Sequence, residues 1–296
     1  MSTRTRHALS IAARIAALTL VCIVVQGIGS RFLPASGTTS QPPPQPSAGF
    51  FAVVLTVALL QTIALAYPAI RSRWHGWLLT GTVFILYFGV VTVQSQVESW
   101  VYLGHRLPAG MVRGIFLMGL FNALAFSPLL VLILGKARSA GGDPGEPVSH
   151  LRLTWRAWAW RLGTGAVVFT ALYYLFGYYV AWKNPEVRAY YGGTDPGTLL
   201  AQMHTIVRDT PWVLLLQLVR GLGWVLLALP VIRMMRGPWW EAGLALALLF
   251  AVPTAYLLFP NPLMPETVRM THLLETAPYQ FLFGWFVGWL FARTGR

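Results

Sequence analysis

Apolar positions in this chain come in long runs, each interrupted by a short polar or basic segment, and not in the two-residue alternation of half-buried strands. A helix rising 1.5 Å per residue needs roughly 17–25 predominantly apolar residues to cross the hydrocarbon of a bilayer. Eight such runs are present, at about 8–29, 49–70, 76–96, 112–135, 158–182, 211–232, 239–259 and 274–292. The pattern predicts an all-α membrane protein of eight transmembrane helices. The first run follows Arg4, Arg6 and Arg14 and so resembles a secretory leader, with Gly27-Ile-Gly29-Ser as a small-residue site. We read it as an uncleaved span, because the second half opens with an equivalent one.

Two stretches fall outside this pattern. Ser36–Ser47, with Gln41-Pro-Pro-Pro-Gln-Pro, has too little apolar surface to bury a core and reads as an extended loop. Ala140-Gly-Gly-Asp-Pro-Gly-Glu-Pro147 reads as a linker near the middle of the chain. The expected organisation is a first four-span repeat at 1–139, a cytoplasmic linker at 140–157 and a second four-span repeat at 158–296.

Two collinear matches suggest the repeat. Leu65-Ala-Tyr-Pro-Ala-Ile-Arg71 returns as Leu227-Ala-Leu-Pro-Val-Ile-Arg233, 162 residues later. Phe116-Leu-Met-Gly-Leu-Phe-Asn-Ala-Leu-Ala-Phe126 returns as Phe281-Leu-Phe-Gly-Trp-Phe-Val-Gly-Trp-Leu-Phe291, 165 residues later and identical at five of eleven positions. An even number of spans per repeat preserves orientation, so the repeats are expected to be parallel. Gly119-x-x-x-Ala123 and Gly284-x-x-x-Gly288 are small-residue grooves that allow close helix approach. Pro128, Pro253 and Pro278 are candidate bends.

Composition agrees. Hydrophobic residues make up 56% of the chain and charged residues 10%, well short of the quarter or so usual in soluble domains. The net charge of +13 would suggest nucleic acid in a soluble protein, but its distribution points to the bilayer. With eight spans, one set of loops carries fourteen basic and three acidic residues, the other seven and six. The net balances of +11 and +1 predict that both termini are cytoplasmic, in a cell membrane. Thirteen Trp and eleven Tyr suit an interfacial belt, and the lone Cys22 admits no intrachain disulfide.

Candidate chemistry centres on Thr210–Arg233. Arg220 lies about 12 Å inside this run if the span begins at Trp212. Gln217, Arg220 and Trp224 share a face at i, i+3, i+7, beside Gly221 and Gly223. A central arginine costs about 2.5–3.5 kcal/mol to insert, so it is expected to face protein or a wet cavity. There it either snorkels or pairs for structure, or it holds an anionic group. The matching position in the first half is Ala58. Tyr174 and Tyr178 belong to a tyrosine group that reads either as interfacial belt or as the wall of a ligand path.

A second constellation lies in the outer segments. Glu98, Tyr102 and His105 precede the fourth run, and Arg269, His272, Glu275 and Tyr279 open the eighth. Acid with imidazole suits proton transfer or metal ligation, yet no compact metal-binding spacing is present, so Glu98, His105, His272 and Glu275 are weak metal candidates. Asp195-Pro196 is expected to cap an amphipathic surface helix whose apolar face is Leu199, Leu200, Met203, Ile206 and Val207. No histidine or acid falls mid-run, which argues against transmembrane haem ligation and a carboxylate proton relay, and no cofactor is implied. The leading expectation is a permease-like or lipid-handling protein binding an anionic or amphipathic molecule between the repeats. An outer-face enzyme using the Glu and His residues, and a non-catalytic membrane subunit, are the alternatives; the balance leans away from an enzyme. The expected partners are the lipid bilayer and that small molecule, with no nucleic acid.

Overall fold

A computed structural model describes residues 2–34, 47–104, 107–138, 153–260 and 264–293. Among these residues the chain is helical, without strands. It divides into two units, Met1–Gly145 and Glu146–Arg296.

The first unit contains α1 (Thr3–Gly29), α2 (Ala48–Ile70), α3 (Gly76–Leu86), α4 (Ser95–Leu103) and α5 (Met111–Ile133). A π-helical stretch, Tyr87–Gln94, joins α3 to α4, so the third apolar run continues to Tyr102, past its expected end. Ser2 and Ser47 cap α1 and α2 by accepting from the amides of Thr5 and Phe50. α1 and α5 run antiparallel. Near one end Arg14 Nη1 donates to Leu134 O at 2.6 Å, and at the other Phe32 packs on Phe121 at 5.6 Å. Arg14 thereby satisfies a carbonyl at the negative end of α5. At the same end Lys136 Nζ donates to Ser72 O and Gly76 N to Lys136 O. Gly119 leaves room for the Thr92 side chain of the π-helical stretch.

The second unit contains α6 (Trp155–Phe176), extended by a π-helical turn at Gly177–Ala181, then α7 (Pro185–Tyr191), α8 (Leu199–Asp209), α9 (Pro211–Met234), α10 (Trp239–Ala251) and α11 (Glu266–Ala292). α10 passes into a 3-10 segment, Val252–Leu258, at the point where Pro253 removes an amide donor. α6 is antiparallel to α11: Trp158 meets Phe291, Phe169 meets Tyr279 and Phe283, and Phe176 meets Tyr279. α9 is antiparallel to α6 as well, with Gly165 against Val225 and Gly221 against Ala166 and Phe169. The closest approach is α10 to α11. A Cβ on Gly284 would lie 2.5 Å from the backbone of Leu246 and Ala247, and one on Gly288 would meet Gly243. The small-residue groove does what its spacing predicts.

Among the described residues seven helices are long and apolar enough to cross a membrane: Thr5–Phe32, Ala48–Ile70, Gly76–Tyr102, Met111–Ile133, Trp155–Ala181, Pro211–Met234 and Trp239–Leu258. The protein is therefore read as a multi-pass membrane protein. The eighth expected run, 274–292, lies within α11 and is not among the seven. Glu275 and Gln280 interrupt its apolar character, and both are buried against protein. The amphipathic surface helix forms as α8, but its cap differs. Thr198 accepts from Ala201 N, while Asp195 Oδ1 instead takes the Gly197 amide in a turn. No residue of α8 is buried, and Leu200 is 81% exposed.

Candidate functional site

Arg220 lies nine residues into α9, roughly 14 Å from its start, and is 4% exposed. Its Nη1 donates to Gln217 Oε1 at 2.7 Å. A guanidinium has only donors, so the Gln217 oxygen must face it and the amide NH2 must point away. That nitrogen is buried and has no hydrogen-bond partner among the described residues; the same holds for the indole Nε1 of Trp224, one further turn along. Gln217 and Trp224 are 0% and 2% exposed, so neither donor is satisfied by bulk water.

Aromatic rings from four helices surround this face. The Arg220 guanidinium carbon is 5.6 Å from the Phe169 ring centroid, a cation–π distance. Phe169 on α6 also meets Trp224 on α9 and both Tyr279 and Phe283 on α11, at 6.4, 6.1 and 5.2 Å. Phe250 on α10 completes the set, 4.7 Å from Trp224. Glycines permit the approach, since a Cβ at Gly221 would crowd Ala166 and Phe169. The sequence reading passed over Phe169. Its signal was the spacing of Phe169, Tyr173 and Phe176 at i, i+4, i+7, which lines one face of α6 toward Tyr279.

The two tyrosines expected beside Arg220 have separate surroundings. Tyr174 is buried next to Tyr173, whose ring packs on Tyr279 at 6.3 Å. Tyr178 belongs to the π-helical turn, where its hydroxyl donates to Gly197 O at 2.6 Å and Lys183 Nζ sits 4.7 Å from its ring centroid. The hydrogen bond to Tyr178 raises the Lys183 pKa. Tyr178 thus ties the segment after α7 to the end of α6.

The acid–imidazole candidates are only partly brought together. His272 Nδ1 and Glu275 Oε2 are 2.7 Å apart, and His272 Nε2 is 3.1 Å from the Tyr191 hydroxyl on α7. Glu98 belongs to the first unit, and His105 lies outside the described residues. Arg269, grouped with them by spacing, is buried and turned away; its Nη1 donates to Leu257 O and Phe259 O at 2.7 and 2.8 Å, holding the end of the 3-10 segment. Among the described residues no group of three or more His, Cys, Asp or Glu is placed to hold a metal ion. An open cleft in the first unit is lined by Trp100, Val101, Gly104, Pro108, Gly110 and Arg113, and includes none of the expected ligand-site residues.

No protein-family model, no curated protein and no solved structure matches this chain.

Proposed function

We propose that this multi-pass protein is a permease-like or lipid-handling protein whose second unit holds the oxyanion headgroup of an amphipathic molecule at Gln217, Arg220 and Trp224. One observation carries the reading: a cation is buried in a membrane helix beside two buried donors that lack an acceptor. A buried unsatisfied donor costs about 1–3 kcal/mol. An acceptor-rich anion satisfies the Gln217 and Trp224 donors together, which a hydrocarbon tail cannot do. The aromatic rings around Phe169 suit the apolar part of such a molecule. Tyr178, being tied to Gly197, serves in this reading as a positioning residue, and Tyr174 as part of the wall.

The same proposal counts α11 as an eighth span and the units as related repeats. α11 is antiparallel to α6 and α10 along its length, as expected of a helix crossing with them. The pairing pattern also recurs: α1 packs on α2 and α5, and α3 on α5; α6 packs on α9 and α11, and α10 on α11. Gly119 and Gly284, matched in sequence, each face the apolar run preceding their own, at Thr92 and at Leu246–Ala247.

The test is equilibrium binding of radiolabelled dodecyl phosphate, laurate and inorganic phosphate to the protein purified in a non-ionic detergent. Both amphiphiles are expected to bind, and Arg220→Gln to weaken them at least tenfold, in line with about 1.5–3 kcal/mol for a hydrogen bond to a charged group. Inorganic phosphate binding alone would favour a free anion as the ligand. Unchanged amphiphile affinity in a folded Arg220→Gln protein sinks the proposal. Should that variant not fold, Trp224→Phe removes one donor while keeping an aromatic ring and is expected to weaken binding several-fold.

A further inference from the structure

Apart from Arg220, the second unit contains a connected chain of acid–base groups. Glu275 Oε2, His272 Nδ1, His272 Nε2 and the Tyr191 hydroxyl follow one another at 2.7 and 3.1 Å across the ring. With the carboxylate ionised and the ring neutral, Nδ1 carries the proton and Nε2 accepts from the Tyr191 hydroxyl. The side-chain exposures of His272 and Glu275 are 20% and 9%, so the imidazole is reachable while the carboxylate behind it is largely covered.

The surroundings fix this arrangement. Asn184 caps α7 by accepting from Glu186 N and donates its Nδ2 to Thr271 Oγ1 at 2.8 Å, joining the start of α7 to α11 one residue from His272. Ala181, Val187 and Val268 form a small core under the same corner, with Tyr190, Tyr191 and Met264 packed on it. The Tyr191 ring lies 4.9 Å from Tyr190 and 6.3 Å from Trp182. Behind the carboxylate, a Cβ on Gly177 would be 3.3 Å from Glu275 Oε1, so the glycine opening the π-helical turn gives Glu275 its place. Helical irregularities of this kind occur often at functional sites.

We infer that Tyr191, His272 and Glu275 form an acid–base site at the end of the second unit that the charge count places outside. In it His272 takes the Tyr191 proton and Glu275 is the positioning residue that orients the ring and stabilises the imidazolium. The site suits acyl or phosphoryl electrophiles presented at the membrane surface, and it stands apart from the Arg220 reading. The hydrogen bond to His272, backed by the Glu275 carboxylate, gives Tyr191 a base that an isolated phenol, with its pKa near 10, lacks.

An aryl sulfonyl fluoride probes this chemistry directly. The Tyr191 O–H proton passes to His272 Nε2 as the phenolate oxygen bonds to sulfur; the S–F bond breaks and fluoride leaves. The imidazolium then returns its proton to water. The full-length protein in detergent micelles is treated with 4-(2-aminoethyl)benzenesulfonyl fluoride, and adducts are quantified by peptide mass spectrometry. N-acetyltyrosinamide in the same micelle solution is the reference phenol, because Tyr179, though 61% exposed, belongs to the span Trp155–Ala181. Tyr191 is expected to react at least tenfold faster than the reference. His272→Gln should bring it down to the reference rate and Glu275→Gln to an intermediate one. Equal rates at Tyr191 and the reference in the native protein, or a Tyr191 rate indifferent to His272→Gln, overturn the inference. If His272→Gln does not fold, the Glu275→Gln rate decides, and no loss there overturns it too.

Discussion

Gln217 and Arg220 meet at 2.7 Å inside the second unit, and that bond determines which end of the amide is left over. The oxygen is committed to the guanidinium, so the NH2 is a fixed donor. Gln217→Glu is therefore expected to act differently from an ordinary deletion. It supplies Arg220 with a carboxylate, removes the donor and places a negative charge where an anion would sit. The folded protein should be at least as heat-stable as the native one, with affinity for dodecyl phosphate down tenfold or more. Retained affinity would show that the donors beside Arg220 serve packing alone.

The α10–α11 contact makes a prediction about stability. A side chain on Gly284 would meet the Leu246–Ala247 backbone, which cannot swing aside as a rotamer can. Overpacking of this kind costs about 1–3 kcal/mol. Gly284→Val is expected to lower the midpoint of thermal aggregation in detergent by several degrees. Gly81, with nothing within 4 Å of a built Cβ, provides the contrast; Gly81→Ala should be neutral or slightly stabilising, as helix propensity favours alanine.

These cases also mark what the sequence alone made legible. Run length and the small-residue spacing around Gly284 gave the helices and their tightest contact, because both are properties of one helix face. Arg220, Gln217 and Trp224 were visible for the same reason. The partnership of Tyr191 with His272 was not, since it joins α7 to α11 over 81 residues and depends on a short helix with no apolar run. Phe169 was hidden among many aromatic residues until its four-helix surroundings were known. The Asp195-Pro196 pair looked like a helix cap, but Thr198 lies closer to the apolar start of α8 and takes that position.

The segment between α7 and α8 should respond to acid. The Gly197 amide, assisted by Arg188 and Lys183, holds the Asp195 carboxyl below its ordinary pKa. A depressed folded pKa contributes stability above the unfolded value, near 4, and that contribution is lost as pH falls through the folded one. Hydrogen exchange at Gly197, corrected for its intrinsic pH dependence, is expected to accelerate as pH drops below about 4, and Asp195→Asn to remove that response. Tyr178→Phe deletes the bond to Gly197 O and should loosen the same segment at every pH, by about 1 kcal/mol. A protection profile flat from pH 6 to pH 3 would remove Asp195 from this role.

The last prediction concerns α11 and the termini. If α11 crosses the bilayer, the count of spans is even and residues 2 and 293 share a side. If it does not, they face opposite sides or α11 folds back within the protein. Buried polar groups do not decide the matter, because Arg269, Glu275 and Gln280 are covered by neighbouring helices and need not meet lipid. Cys22 is fully buried, so Cys22→Ala gives a background in which single cysteines can be introduced at Ser2 and Arg293. In sealed right-side-out vesicles, a membrane-impermeant maleimide is expected to label neither until the vesicles are opened, and then both. A third cysteine at Leu200, on exposed α8, should react from outside without opening. Labelling of the residue-293 cysteine in sealed vesicles while residue 2 stays protected would leave α11 outside the set of spans, and with it the parallel repeat.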